Sequence, residues 1–194
     1  MAQSVKILNE RLLSQKRFRL TTTTAEIVEA DGSRRIVDHE IYHYGQAAAV
    51  LLYDPVRRLV RLVKQFRLAA YFADGALETI EVCAGMLDGD QAEACVIREA
   101  FEETGVRVAE AKHAFNAYMS PGGVTEIIGC FVAPYGAADC IGAGGGVDAD
   151  EHIEILEVSI ESALAMIDSG AIRDAKTIAL LYYARAKGCF DAPC

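Results

Sequence analysis

Glu99, Glu102 and Glu103 crowd the end of Ala92–Thr104, a stretch rich in Ala and Glu that reads as a helix. They stand in its last turns, where the macrodipole favours cations and penalises each carboxylate by about 0.3–1 kcal/mol. Glu99 and Glu103 are also a like-charged pair one turn apart, which costs roughly 0.2–0.5 kcal/mol more. Arg98, one turn before Glu102, offsets part of this. A solvated acidic face is the ordinary explanation for such a run. Here the charges converge on one side at the unfavourable helix end, and a divalent cation would turn their repulsion into coordination. Hard carboxylate oxygens suit Mg²⁺, with Mn²⁺ as the alternative.

The elements around this helix must hold it in place. Asp90 is placed to N-cap it, with Glu93 completing a capping box, and Gly105 suits the residue just past its end. Ile97 and Phe101 give it a face to bury. Upstream, Arg17–Glu29 and Arg34–Tyr44 alternate like strands about Asp31-Gly32, a hairpin signal. Ala47–Tyr53 and Leu59–Phe66 form a second pair, turned at Asp54-Pro55, and Thr79–Cys83 is a short strand. Downstream, strands are expected near Ala109–Ala117, Glu126–Ala133 and Ile153–Val158, with a turn at Ser120-Pro121-Gly122-Gly123 and a loop over Ile141–Asp150. Helices near Ile160–Ser169 and Asp174–Lys187 close the chain. This order implies an α/β fold, a mixed sheet between helices, with residues 1–44 as a separate antiparallel hairpin module and 45–194 as the main domain.

Composition narrows the function classes. No apolar run approaches the roughly 18–20 residues of a membrane span, and the start MAQSVKILNE is too short in apolar residues for a secretory signal. A cytoplasmic location is expected. The net charge of -9 argues against nucleic acid as a partner, but bound cations would still permit a phosphate substrate. Cys83, Cys95, Cys130, Cys140, Cys189 and Cys194 include no C-x-x-C pair, and the histidines are scattered, so neither disulfides nor zinc is expected.

Gly85–Val106 reads GMLDGDQAEACVIREAFEETGV. Its order of glycine, Arg98-Glu99, Glu102-Glu103 and Gly105-Val106 resembles the Nudix box, G-x5-E-x7-R-E-U-x-E-E-x-G-U with U apolar. Two positions depart from the pattern. Gly85 lies one residue closer to Arg98, and Asp90-Gln91 stands near the first box glutamate's place. Glu99 and Glu103, the more important for metal, are present, so the change reads as a subfamily variant. The resemblance implies a Nudix α/β/α sandwich and metal-assisted attack of water on a nucleoside diphosphate linked to another group.

Further stretches carry the likeness across nearly the whole chain: KQFR at Lys64–Arg67, EVCAGMLD at Glu81–Asp88, YMSPGGVTE at Tyr118–Glu126, AGGGV at Ala143–Val147 and IRDAKT at Ile172–Thr177. These are similar to the GDP-mannose pyrophosphatases of the ADP-ribose pyrophosphatase-like group. The resemblance implies a nucleotide sugar substrate, GDP-mannose giving GMP and mannose 1-phosphate. It implies metal ligation by the Ala84 carbonyl, Glu99, Glu103 and Glu151. It implies substrate contacts from Arg67, Ala84, Gly85, Glu103, Glu126, Asp150, Glu151 and Lys176, and from Asp38, His39 and Glu40 across a homodimer. Arg17 stands where relatives carry a tyrosine that meets the substrate. Glu151 is an additional ligand or the general base. Two other readings stay open: an ADP-ribose pyrophosphatase giving AMP and ribose 5-phosphate, and a non-catalytic sugar nucleotide-binding module.

Overall fold

Residues Ala2–Gln15 form a long strand, β1, for which no strand was expected. It pairs antiparallel with β2 (Arg19–Glu29), which pairs antiparallel with β3 (Arg34–His43). The expected hairpin is therefore two-thirds of a three-stranded sheet. Its Asp31-Gly32 turn is as anticipated: Asp31 Oδ1 accepts from the Ser33 N–H and hydroxyl, and Gly32 takes a φ of 83°. The apolar residues of β1, Val5, Ile7, Leu8, Leu12 and Leu13, do not alternate strictly, and Val5, Leu8 and Leu12 have helical spacing. Register shifts after Ala2, Ile7 and Leu12 explain the broken alternation.

The computed structural model describes residues 1–146 and 152–191, which divide into two units. The first comprises Met1–Gly45 with Tyr118–Ile127. Tyr42 accepts from and donates to this second segment through the Thr125 N–H and the Gly123 carbonyl. Phe18, Tyr42 and Tyr44 cluster in the same unit, Phe18 meeting Tyr42 edge to face and both tilted against Tyr44.

The second unit, Gln46–Ala117 with Ile128–Cys194, contains a seven-stranded mixed sheet. In chain order its strands are β4 (Gln46–Asp54), β5 (Leu59–Gln65), β6 (Thr79–Glu81), β7 (Cys83–Met86), β8 (Lys112–Tyr118), β9 (Ile127–Pro134) and β10 (Glu154–Ser159). The main path runs β10-β5-β4-β9-β8, with β6 beside β5 and β7 beside β4. Helices α1 (Leu68–Asp74), α2 (Ala92–Thr104), α3 (Ile160–Asp168) and α4 (Ala175–Ala186) complete it. The β4 sequence is a nearly unbroken apolar run, Ala47–Leu52, because both of its faces are covered. Ala48, Val50 and Leu52 join Val96 and Ala100 of α2 in one core cluster, while Ala49 and Leu51, equally buried, point to the opposite face. α4 also packs on β4 and contributes the buried Leu180, Leu181 and Ala184.

Helix α1 buries none of its residues, and no periodicity announced it. The single strand expected at Thr79–Cys83 is instead two, β6 and β7, which pair with different neighbours; the other strands and helices of this unit match the sequence expectation to within a few residues. Among the described residues the cysteines Cys83, Cys95, Cys130, Cys140 and Cys189 are free thiols. No described helix is long and apolar enough to cross a membrane.

Candidate active site

The glutamates of α2 lie against β7, and the match follows from two repeats. Alternate residues of a strand share a face and are about 6.6 Å apart. Residues four apart on a helix share a face and are about 6 Å apart. Gly85 meets Glu99, and Cys83 meets Glu103, so the strand and the helix pass in opposite directions with their repeats in step. A Cβ on Gly85 would fall 2.2 Å from Glu99 Oε1, a distance no carbon side chain tolerates. Only glycine lets the carboxylate lie on the β7 backbone. Glu103 is buried at 4% exposure, with the Cys83 thiol donating to its carboxylate. Burial pushes that thiol well up, and the Glu103 charge and hydrogen bond add to the effect. Cys83 therefore stays a protonated donor.

The space left by the missing Cβ seats the Glu99 carboxylate on the Ala84–Gly85 backbone, and with Glu103 this forms a set of hard oxygen donors of the type that suits a divalent cation. Among the described residues no three His, Cys, Asp or Glu side chains gather as a metal cluster. Asp150 and Glu151, expected to add a substrate contact and a third carboxylate, lie outside the described residues.

The start of α2 differs from the sequence expectation. Gln91, not Asp90, is its N-cap, and no side chain caps it. Asp90 closes a turn by donating its N–H to the Leu87 carbonyl, and Glu93 accepts instead from the Ala111 N–H. The capping box is thus replaced by a tertiary bond to the chain beyond the helix. At the other end Gly105 is left-handed (φ 70°) and donates to the Phe101 carbonyl, as anticipated. Arg98 Nη1 reaches both Glu102 Oε2 at 2.8 Å and Glu99 Oε1 at 2.9 Å. Glu102 is thereby a structural partner of Arg98.

A second charged cluster gathers Arg67 and Lys176 around a residue to which the sequence assigned no role. Glu81, at the end of β6, is 4% exposed. Its Oε1 accepts from Arg67 Nε at 2.9 Å and from the Thr79 hydroxyl at 2.6 Å; its Oε2 accepts from Arg67 Nη2 at 3.0 Å and Lys176 Nζ at 2.7 Å. Lys176 also donates to Asp174 Oδ1 at 2.9 Å, while Asp174 N-caps α4 by accepting from the Thr177 N–H. Burial alone would raise the Glu81 carboxyl, but the Arg67 hydrogen bonds and the Lys176 and Arg67 charges overcome it and bring its pKa down to about 2. Burial would lower Lys176; Glu81 and Asp174 reverse this and raise it. The one sequence signal for Glu81 was a carboxylate at an inward position of an otherwise apolar strand.

The remaining expected residues belong to the first unit. Asp38, His39 and Glu40 are exposed on β3, where Asp38 accepts from the hydroxyls of Thr22 and Thr24. Arg17 is exposed, with its guanidinium 5.6 Å from the Phe18 ring centre. Glu126 is half-buried near the end of the Tyr118–Ile127 segment.

Comparison with known proteins gives these arrangements a setting. Residues 43–181 match the family described as the NUDIX domain. The chain is 45% identical to a GDP-mannose pyrophosphatase of Klebsiella pneumoniae subsp. pneumoniae, over 97% of this chain and 95% of that protein. It is 43% identical to one of Cronobacter sakazakii and 41% identical to one of Escherichia coli, each over 98% of this chain and 100% of the relative. The solved crystal structure of an ADP compounds hydrolase superposes with a TM-score of 0.73, over 96% of this chain and 95% of that one. At 16% identity it bears on the fold alone.

Two outcomes are expected from this geometry. Gly85→Ala should displace the Glu99 carboxylate and weaken Mg²⁺ binding by roughly 10- to 100-fold while circular dichroism stays native. Unchanged Mg²⁺ affinity by calorimetry would contradict this seating of Glu99. Glu81 is also linked to stability through pH. Its folded pKa is depressed, so its contribution is present above the ordinary 4.5 and is lost as pH falls towards about 2. The thermal midpoint of the native protein should exceed that of Glu81→Gln above pH 4.5, and the gap should close below it. A gap constant across that window would rule the linkage out.

Proposed function

The chain belongs to the NUDIX family, and on that premise we propose that it hydrolyses the diphosphate of GDP-mannose, releasing GMP and mannose 1-phosphate. The observation that carries this reading is the Gly85–Glu99 and Cys83–Glu103 seating of α2 on β7, in a chain similar over its whole length to GDP-mannose pyrophosphatases.

In this reading Glu99, Glu103 and the Ala84 carbonyl hold Mg²⁺, or Mn²⁺, with Glu151 as a further ligand or the general base. Bound there, the ion would neutralise diphosphate charge and lower the pKa of an attacking water. The chain's own residues prepare the rest. Glu99 is oriented by the Gly85 backbone and by Arg98, and Glu103 by the Cys83 thiol. Arg67 and Lys176 present cationic donors to the non-bridging phosphate oxygens. Gly85, Glu126 and Asp150 contact the substrate.

We further infer a homodimer built on the first unit. β1 is exposed over its whole length and displays Val5, Ile7, Leu8, Leu12 and Leu13 to solvent, an apolar surface that a second copy of the same strand would cover. Arg17 and Asp38–Glu40 would then reach the substrate from the partner subunit.

Incubation with GDP-mannose and Mg²⁺ should yield GMP and mannose 1-phosphate by mass analysis. Glu103→Gln should lower kcat about 100-fold or more, the equivalent of some 3 kcal/mol of lost transition-state stabilisation. Selective turnover of ADP-ribose would overturn the substrate, and a fully active Glu103→Gln the metal assignment. Light scattering should report a dimer for the native chain and a monomer for Leu8→Glu/Leu12→Glu; a native monomer would remove the dimer reading.

A further inference from the structure

Arg67 poses a physical question. Its side chain is 47% exposed, and an exposed arginine gains little from an ion pair, typically under about 1 kcal/mol. Burial does not demand that it be fixed. Nevertheless a buried carboxylate grips it in fork geometry, through Nε and Nη2, with the Nη1 edge turned away from Glu81. The same carboxylate holds Lys176 Nζ, so one anion ties together cations from the start of α1 and the first turn of α4, more than a hundred residues apart in sequence. Both ends of the arrangement are braced. The Thr79 hydroxyl orients Glu81 Oε1, and Asp174, anchored on the Thr177 N–H and hydroxyl, orients the ammonium. Two of the three ammonium protons of Lys176 are thereby committed, leaving one among the described residues.

We propose that Glu81 is a positioning residue for diphosphate recognition, holding Arg67 and Lys176 at the separation and orientation in which both meet the phosphoryl oxygens. This rests on the reading that those two cations bind the diphosphate. Glu81 itself does not touch substrate. Its carboxylate organises the two donors before substrate arrives, so that binding does not have to order a flexible arginine.

The test compares the native enzyme with Glu81→Gln, Arg67→Ala, Lys176→Ala and Arg67→Ala/Glu81→Gln, measuring kcat and KM for GDP-mannose at saturating Mg²⁺ and well below each thermal midpoint. Glu81→Gln should raise KM roughly 10- to 100-fold with a smaller change in kcat. In the Arg67→Ala background the same substitution should add less than about twofold, because the group it positions has gone. Glu81→Asp, which keeps the charge but withdraws it by one methylene, should also raise KM, and it serves if Glu81→Gln does not fold. A lowered thermal midpoint with native KM, or an undiminished penalty in the Arg67→Ala background, would mean that Glu81 only balances the buried charge of Lys176. If Arg67→Ala and Lys176→Ala raise KM while both Glu81 variants do not, the positioning role fails and the diphosphate contacts stand. Native KM in the two single cation variants would sink both.

Discussion

The Glu99 carboxylate of helix α2 can lie on the backbone of strand β7 only because position 85 carries no Cβ. That contact fixes where the Glu99 carboxylate stands, and the packing of α2 on the sheet places Glu103 one turn further along the same face. The core agrees with it: Cys95, Val96 and Ala100 are small or of medium size and fully buried, so the helix sits low enough for its carboxylates to reach the β7 backbone. Close approach is reinforced at the far end of α2. Gly105 packs against Gly142, where a Cβ would fall 2.1 Å from the Gly142 carbonyl oxygen, and the N–H groups of Gly145 and Gly146 bond to the Glu103 and Glu102 carbonyls. Gly105 and the glycines of residues 142–146 thus bring backbone to backbone around the acidic turns, while Gly85 admits the Glu99 side chain.

Two charge arrangements of opposite logic occupy the second unit. On α2, carboxylates are concentrated where the helix end disfavours them, with Arg98 as the cation that reaches Glu99 and Glu102. At Glu81 and Asp174, carboxylates are instead matched by Arg67 and Lys176 in a network whose members brace one another. The first arrangement suits a site that accepts further positive charge. The second suits a site that fixes positive charge in place. Metal-assisted hydrolysis of a diphosphate asks for both, and a chain of net charge -9 needs such local correction to attract an anionic substrate.

The sequence was most informative where local chemistry and pattern coincide. The Asp31-Gly32 turn, the Gly105 helix stop and the apolar run of β4 each have a local cause, and each is found in the structure. So does the anomaly of the α2 glutamates, whose cost is calculable from helix position alone. Legibility failed where a contact replaced a local rule. Asp90 and Glu93 have the right spacing for a capping box, yet Glu93 turns to the Ala111 N–H because the chain returns there. β1 became a strand through pairing with β2, and its broken alternation hid that outcome.

By itself the sequence pointed to the type of chemistry, because carboxylates gathered on one helical face at the unfavourable end favour a cation, and it pointed to the family through the motifs strung along the chain. Only the tertiary structure decided which residues act together. Glu81, Arg67 and Lys176 meet because a strand, a helix start and a distant helix N-terminus converge, and Gly85 matters because of what lies 2.2 Å from an atom it does not have. Such relations depend on distances across the fold, which spacing along the chain does not encode.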